Sequence, residues 1–169
     1  MTQAPQVSQR PIYLVSYNNR LFPAHWGLWV PSYEAGEAGN MGKVIHVEGD
    51  ARNGFVHGFK RNYDMATSER AKELVLLGWT DSVNVVGGDN YGPLVIDTIA
   101  TDVIERLALD VPAPGPSLRA AGSSSSGGRR TRVDIQNCQT WVRQFVEKLI
   151  ESEILEVDAL SKLDSAPKN

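Results

Sequence analysis

The sequence predicts an α+β fold in which an antiparallel sheet packs against a helix that carries the only cysteine. The N-terminal third contains several short segments rich in β-branched and aromatic residues, separated by turn residues, which is the pattern of strands. After residue 137, apolar residues recur at helical spacing through Trp141, Phe145 and Leu149. Cys138 stands at the start of that amphipathic pattern.

The strand pattern begins at residues 12–17 and returns at 26–30, 44–47 and 55–59. A loop rich in Gly and Glu separates the second segment from the third, and a hairpin is the simplest connection between them. This loop contains three glycines, Gly36, Gly39 and Gly42.

Two histidines lie on the second and third predicted strands. Because side chains alternate along a strand, His25 shares a face with Trp29, and His46 shares a face with Glu48. Adjacent strands in a suitable register would bring both imidazoles to the same side of the sheet, directly opposite or on a diagonal.

The second half of the chain is predicted to contain more helix. The apolar run at 73–79 fits a fifth strand or a short helix, and residues 94–109 repeat apolar side chains at helical spacing. Residues 112–132 are dominated by Pro, Gly, Ser and Arg, which predicts a mobile loop. Asn137 is a plausible N-cap for the last helix and would place the sulfur of Cys138 at its first turn, facing the sheet.

Composition favours a single domain over residues 1–169, with an ordered core at about 12–160 and frayed termini. The 169 residues are 41% hydrophobic and 22% charged, enough for one core. The net charge of −3 excludes a global positive field that would drive nucleic-acid binding. The basic cluster at 129–132 follows a Ser/Gly run and fits a solvated loop better than a phosphate site.

Cysteine usage and hydropathy favour a reduced, cytoplasmic protein. One cysteine cannot form an internal disulfide, and the first residues lack the layout of a signal peptide. No apolar stretch approaches the roughly 20 residues needed to cross a bilayer, so we expect no membrane anchor.

Cys138 is the candidate nucleophile. A thiol at the first turn of a helix feels the positive end of the helix dipole, which favours the reactive thiolate and predicts a lowered pKa. His25 and His46 are its candidate partners, and His57 is an alternative third residue. Taken singly, the cysteine fits an inert core thiol and each histidine fits a satisfied, partly buried side chain.

Four residues are candidates for substrate binding: Trp29, Trp26, Trp141 and Asn137. The alternative for the indoles is ordinary core packing. We expect no metal, because no His or Cys pair has the short spacing of zinc motifs, and no cofactor, because the Gly-rich segment at 87–92 lacks the lysine and spacing of a phosphate loop.

Three local sequences together resemble one known family. A strand with the order His-Trp-Gly-Leu-Trp-Val at 25–30, a strand Val-Ile-His-Val at 44–47 and a helix opening Asn-Cys-Gln-Thr-Trp-Val at 137–142 are similar to motifs of the lecithin:retinol acyltransferase family. That family belongs to the circularly permuted, papain-like branch of the NlpC superfamily. The resemblance therefore implies a circularly permuted papain-like fold.

The resemblance also implies roles for three residues. Cys138 would be the nucleophile, His25 the base that activates it and His46 the third member that orients His25. The implied chemistry is acyl transfer, or hydrolysis of an amide, ester or thioester, through an acyl-cysteine intermediate, with a small-molecule acyl substrate. The chain differs from the family in having Gln139-Thr140 where members carry Glu-His and in the long loop before the helix, and we expect it to lack the membrane anchor common among the animal enzymes.

Two other classes stay open. The PPPDE isopeptidases, which act on ubiquitin-like conjugates, also combine an early histidine strand with an Asn-Cys-Asn helix, and the Leu-Gly-Trp at 77–79 resembles that group. Such an enzyme would take a protein substrate and would rely on a dyad of Cys138 and His25. A binding protein that retains the fold without turnover is the third class, and an unreactive thiol would identify it.

Overall fold

The computed structural model describes residues 8–18, 21, 23–34, 36–67, 72–86, 92–117 and 137–168. The expected loop at 112–132 therefore lies mostly outside the described residues, as do the basic cluster at 129–132 and most of the Gly-rich segment at 87–92. The strands are β1 (Gln9–Tyr17), β2 (His25–Glu34), β3 (Glu37–Asp50), β4 (Gly54–Asp64), β5 (Lys72–Asp81) and β6 (Val95–Asp97). The α-helices are α1 (Val103–Asp110), α2 (Cys138–Glu151) and α3 (Ala159–Asp164), and a 3-10 turn covers Ser82–Asn84.

The strands form one sheet in the order β5-β1-β2-β3-β4-β6, and every neighbouring pair is antiparallel. The α+β class with an antiparallel sheet is confirmed. The predicted β2–β3 hairpin is present, and Gly36 forms its turn with φ of +82°, a conformation that favours glycine. Both strands are longer than expected, so Gly39 and Gly42 belong to β3 and not to a loop.

The sheet has two unlike faces. All three helices pack on one face and share its core, which we call the main cluster; it includes Leu28, Ile45 and Phe59. Within the described chain, the opposite face carries a smaller group without helical residues, here called the second cluster. Its buried members are Val15, Tyr17, Trp29, Val44 and Met65, with Tyr13 and Tyr63 packed beside them.

The predicted helix at 94–109 is wrong in its first half. Val95–Asp97 is an edge strand that pairs with Phe59–Arg61 of β4. Arg61 holds this segment by hydrogen bonds to the Asp97 carboxylate at 3.0 Å and to the Ile99 carbonyl at 2.9 Å. Helix α1 begins only at residue 103, because the side chain of Asp102 accepts from the Glu105 backbone N–H and forms the N-cap.

The structure also shows the secondary structure and extent of two further segments. The run at 73–79 is part of strand β5. The ordered core extends beyond residue 160: α3 continues to Asp164, and the Pro167 carbonyl accepts hydrogen bonds from the Ser16 hydroxyl and the Trp26 indole, each at 2.9 Å.

A buried network of charges joins α1 to strands β3 and β4. Lys43 contacts the carboxylates of Asp102 and Glu105, and Arg61 binds Glu105 through both terminal nitrogens at 2.7 and 3.0 Å. Burial alone would raise the pKa of Glu105, but the Arg61 hydrogen bonds and the Lys43 charge hold this pKa below its usual value. The network therefore joins the sheet to α1, which contributes Ile104 and Ala108 to the main cluster.

None of the helices in the described part of the chain combines the length and the apolar character that crossing a membrane requires.

Candidate functional site

Cys138 occupies the first position of α2, as the capping pattern predicts. The Asn137 side chain accepts hydrogen bonds from the backbone N–H groups of Gln139 at 3.0 Å and Thr140 at 3.1 Å. The Thr140 side chain in turn faces the backbone N–H of Asn137, which completes a capping box. The Asn137 side chain is therefore engaged with its own helix, where it fixes the position of the thiol.

The sulfur of Cys138 lies against the backbone at the start of β2. Only 7% of the residue is exposed, and Sγ donates to the Ala24 carbonyl at 3.8 Å. Burial raises the pKa of the thiol, while hydrogen bonds from the backbone N–H groups of Trp26, Gln139 and Cys138 itself act in the opposite direction. The expected lowering of this pKa is not found, because burial outweighs the helix terminus in this arrangement.

The structure brings His25 and His46 into direct contact. Nε2 of His25 lies 2.9 Å from Nδ1 of His46, and the two rings meet edge to face with centroids 5.2 Å apart. On its other side the His25 ring stacks on Tyr17, its cross-strand partner in β1, with centroids 5.9 Å apart. The expectation that both imidazoles share one side of the sheet is confirmed.

His46 is the buried member of this pair. It is 1% exposed, and burial, followed by the charges of His25 and Lys60, lowers its pKa to about 3. His46 is consequently neutral at pH 7. Its Nε2 has no hydrogen-bond partner among the described residues, and the nearest carboxylate oxygen, Oε1 of Glu48, lies 3.7 Å away.

The thiol and the histidine pair approach β2 from different sides. His25 stacks with Tyr17 of the second cluster, whereas Cys138 and Trp26 belong to the main cluster. The sulfur nevertheless contacts the peptide groups on both sides of His25, through the Ala24 carbonyl and the Trp26 N–H. The β2–β3 pairing begins at Leu28, so this part of β2 projects beyond that ladder.

His57 lies away from the histidine pair and contacts other elements. Its Nε2 is 2.7 Å from the Val111 carbonyl, and its ring packs edge to face against Trp141 at 5.7 Å. Because His57 is the cross-strand partner of Val47, a main-cluster residue, it faces the helices. In this structure His46, not His57, contacts His25.

The three tryptophans considered as substrate contacts are all buried. The indole N–H groups of Trp26 and Trp141 donate to the carbonyls of Pro167 and Val111, each at 2.9 Å. Trp29 lies in the second cluster and packs edge to face on Tyr63. In this structure all three indoles contribute to packing.

Several contacts at the site have no clear signal in the sequence. The Tyr17 hydroxyl donates to the Tyr63 hydroxyl at 2.9 Å, and the Tyr17 ring stacks on His25. The Gln139 amide donates to the carbonyls of Ala24 at 2.9 Å and Lys168 at 3.0 Å, and so joins the α2 terminus to residues close to the C-terminus.

In the residues that the structure describes, no three His, Cys, Asp or Glu side chains are grouped in a way that could hold a metal ion.

Comparison with known proteins gives one assignment. No curated protein and no solved structure matches this chain. A family model described as a family of unknown function, DUF6540, matches residues 12–156, which include Cys138, His25 and His46. The chain belongs to the DUF6540 family.

Proposed function

We propose that this protein is a cysteine-dependent enzyme that transfers an acyl group, or hydrolyses an amide, ester or thioester, through an acyl-Cys138 intermediate. The contact that supports this best is the 2.9 Å approach of His25 Nε2 to His46 Nδ1, next to the backbone that the Cys138 sulfur touches. Thiol catalysis requires a helix-terminal thiol and a histidine oriented by a third polar group, and here both components contact the same short stretch of β2. We further propose the circularly permuted papain-like fold, a cytoplasmic location and a small-molecule acyl donor.

The proposed reaction divides into two steps. Sγ of Cys138 gives its proton to His25 and attacks the substrate carbonyl, and His25 then protonates the leaving group as the thioester forms. Water, an alcohol or an amine next attacks the thioester and gives a proton to His25. The C–S bond then breaks, the acyl product leaves, and His25 returns the proton to the Cys138 thiolate. The Cys138 backbone N–H at the start of α2 is suited to stabilise the oxyanion of both steps.

The neutral state of His46 supports its assigned role. A neutral imidazole offers one donor and one acceptor, so His46 can orient the His25 ring without adding a charge that would oppose imidazolium formation. His25 is then the group in the pair that takes up the thiol proton.

Alkylation of Cys138 tests the proposal. Iodoacetamide labelling from pH 4 to 10, followed by intact mass, is compared between wild type, His25→Ala and the matched control His57→Ala. We expect a higher apparent pKa in His25→Ala than in the wild type, and a wild-type profile in His57→Ala. An apparent pKa that His25→Ala leaves unchanged would contradict the proposed pairing.

A reactive thiol would then be tested on substrates. Small ester, thioester and amide donors are screened in parallel with a ubiquitin-like isopeptide conjugate, and the acyl-enzyme is trapped by mass. Acylation by the small donors with loss in Cys138→Ser supports the proposal, whereas exclusive cleavage of the conjugate would identify an isopeptidase.

The second candidate function is a binding protein without turnover. The observation that favours it is the burial of Cys138, which raises the thiol pKa. Slow labelling with a raised apparent pKa in both wild type and His25→Ala is the result that this function predicts.

A further inference from the structure

We propose that Glu48 is a positioning residue that holds His46 with its proton on Nε2, so that Nδ1 of His46 accepts the hydrogen bond from His25. The catalytic meaning of this inference rests on the proposed function, but the protonation pattern itself is measurable without any activity. The series of contacts Glu48–His46–His25 would then leave Nδ1 of His25 as the nitrogen that exchanges the proton.

The packing around His46 shows a slot shaped for an imidazole. Gly27 of β2 and Gly58 of β4 flank it on the neighbouring strands. A Cβ at Gly27 would lie 3.2 Å from the His46 Cβ, and a Cβ at Gly58 would lie 3.3 Å from Nε2. Both distances are tighter than ordinary contact, so side chains on either strand would displace the ring. The two glycines thus leave a buried polar ring in one fixed place.

The hydrogen-bond inventory then decides the tautomer. The 2.9 Å contact between the two imidazoles needs one donor and one acceptor. If Nδ1 of neutral His46 donated, the unprotonated Nε2 would face the Glu48 carboxylate at 3.7 Å. Two hydrogen-bond acceptors would then face each other, which is unfavourable. If Nδ1 accepts, Nε2–H points toward that carboxylate. The second arrangement places a donor beside a negative charge and is therefore favoured.

The charged groups around His46 agree with this assignment. His25 on β2 and Lys60 on β4 both oppose protonation of His46, and Glu48 on its own strand is the only carboxylate within 4 Å of Nε2 among the described residues. Lys60 Nζ also lies 3.4 Å from Glu48 Oε1, so the carboxylate is held between a lysine and the imidazole. The Gly27, Gly58 and Ile96 positions that line the slot carry no charge.

The test is the ¹⁵N spectrum of the histidine ring nitrogens in the full chain at pH 7, which separates protonated from unprotonated nitrogens. We expect a protonated Nε2 and an unprotonated Nδ1 for His46 in wild type. In Glu48→Ala, the other tautomer should become populated to a comparable extent, and the His46 resonances should average. The matched control, Glu156→Ala, removes an exposed carboxylate between α2 and α3 and should leave the spectrum unchanged.

A second variant and the alkylation rate distinguish this positioning role from a purely structural one. Lys60→Met should keep the wild-type tautomer of His46. The pKa of His46 should rise in this variant, because one repulsive charge is removed. If Cys138 is reactive, Glu48→Ala should slow its alkylation at pH 7 by about threefold to tenfold, with thermal unfolding unchanged. A proton on His46 Nδ1 in wild type, or a Glu48→Ala spectrum identical to wild type, would overturn the proposal. An inert thiol with the expected tautomer would instead contradict only the proposed function.

Discussion

Gly27 lies so close to His46 that a methyl group at its position would be 3.2 Å from the His46 Cβ and 3.1 Å from Cγ1 of Val44. We therefore expect Gly27→Ala to lower the free energy of unfolding by about 1–3 kcal/mol, the usual cost of overpacking a core. Denaturant unfolding measures this change. Gly115→Ala is the matched control, since a Cβ there meets nothing within 4 Å, and it should be neutral. Equal effects at the two positions would contradict the tight packing at His46.

The depressed pKa of His46 predicts acid destabilisation. Its folded-state pKa is about 3, against 6.5 for the unfolded chain, so below pH 6.5 the unfolded state binds a proton that the folded state refuses. The stability contribution is complete above pH 6.5 and is lost as the pH falls toward 3. At about 1.4 kcal/mol for each pH unit, the loss is on the order of 4 kcal/mol.

Unfolding measured across this range in wild type and His46→Gln checks that dependence. Glutamine is uncharged throughout the range, so the variant should show a flatter decline of stability between pH 6.5 and 4. His57→Gln is the comparison, and parallel curves for wild type and His46→Gln would show that other groups cause the acid loss.

The cap of α2 should stabilise the helix that carries the thiol. Asn137→Ala removes the oxygen that accepts from two backbone N–H groups, and its expected cost is about 1 kcal/mol of unfolding free energy. Asn137→Asp keeps an acceptor and should fold with close to wild-type stability, but its negative charge beside the sulfur should raise the apparent pKa of Cys138 alkylation. A thiol profile identical in the two variants would argue against electrostatic coupling at this terminus.

The buried Glu105 should be the most sensitive member of the charge network. Glu105→Ala leaves Lys43 and Arg61 without their shared partner, and removing one member of a buried ionic group costs roughly 3–5 kcal/mol. Glu147→Ala, which breaks an exposed pair with Arg143, should cost less than about 1 kcal/mol. Chemical denaturation of both variants at pH 7 makes the comparison, and a small loss for Glu105→Ala would mean that the network relaxes around the gap.

Local pattern predicted much of the sheet but not its edges. Alternating β-branched and aromatic residues located β1 to β4, and the same alternation placed the two histidines on one face. At 94–109 the apolar spacing fits both a helix and a short strand followed by a helix. The strand at 95–97 is held in place by Arg61, which lies more than thirty residues earlier in the chain and binds Asp97. Such nonlocal pairing is invisible to a local window.

The sequence likewise predicted the helix terminus that carries the thiol, but not the environment around the thiol. The cap at Asn137 and the first-turn position of Cys138 follow from local sequence, and both are confirmed. The pKa of the thiol depends on burial, which is set by how α2 packs against β2 and by the residues near Lys168 that join Gln139. Glu48 beside His46 was identified only as a residue on the same face, because its distance depends on side-chain conformation.

The network between α1 and the β3–β4 hairpin has a consequence for the order of folding. The hairpin supplies the cations Lys43 and Arg61, and α1, about forty to sixty residues later in the chain, supplies the anions Asp102 and Glu105. A half-docked α1 would bury some of these charges before their partners arrive, which is costly. Partly assembled states should therefore be sparsely populated, so that α1 and the hairpin dock in one cooperative step.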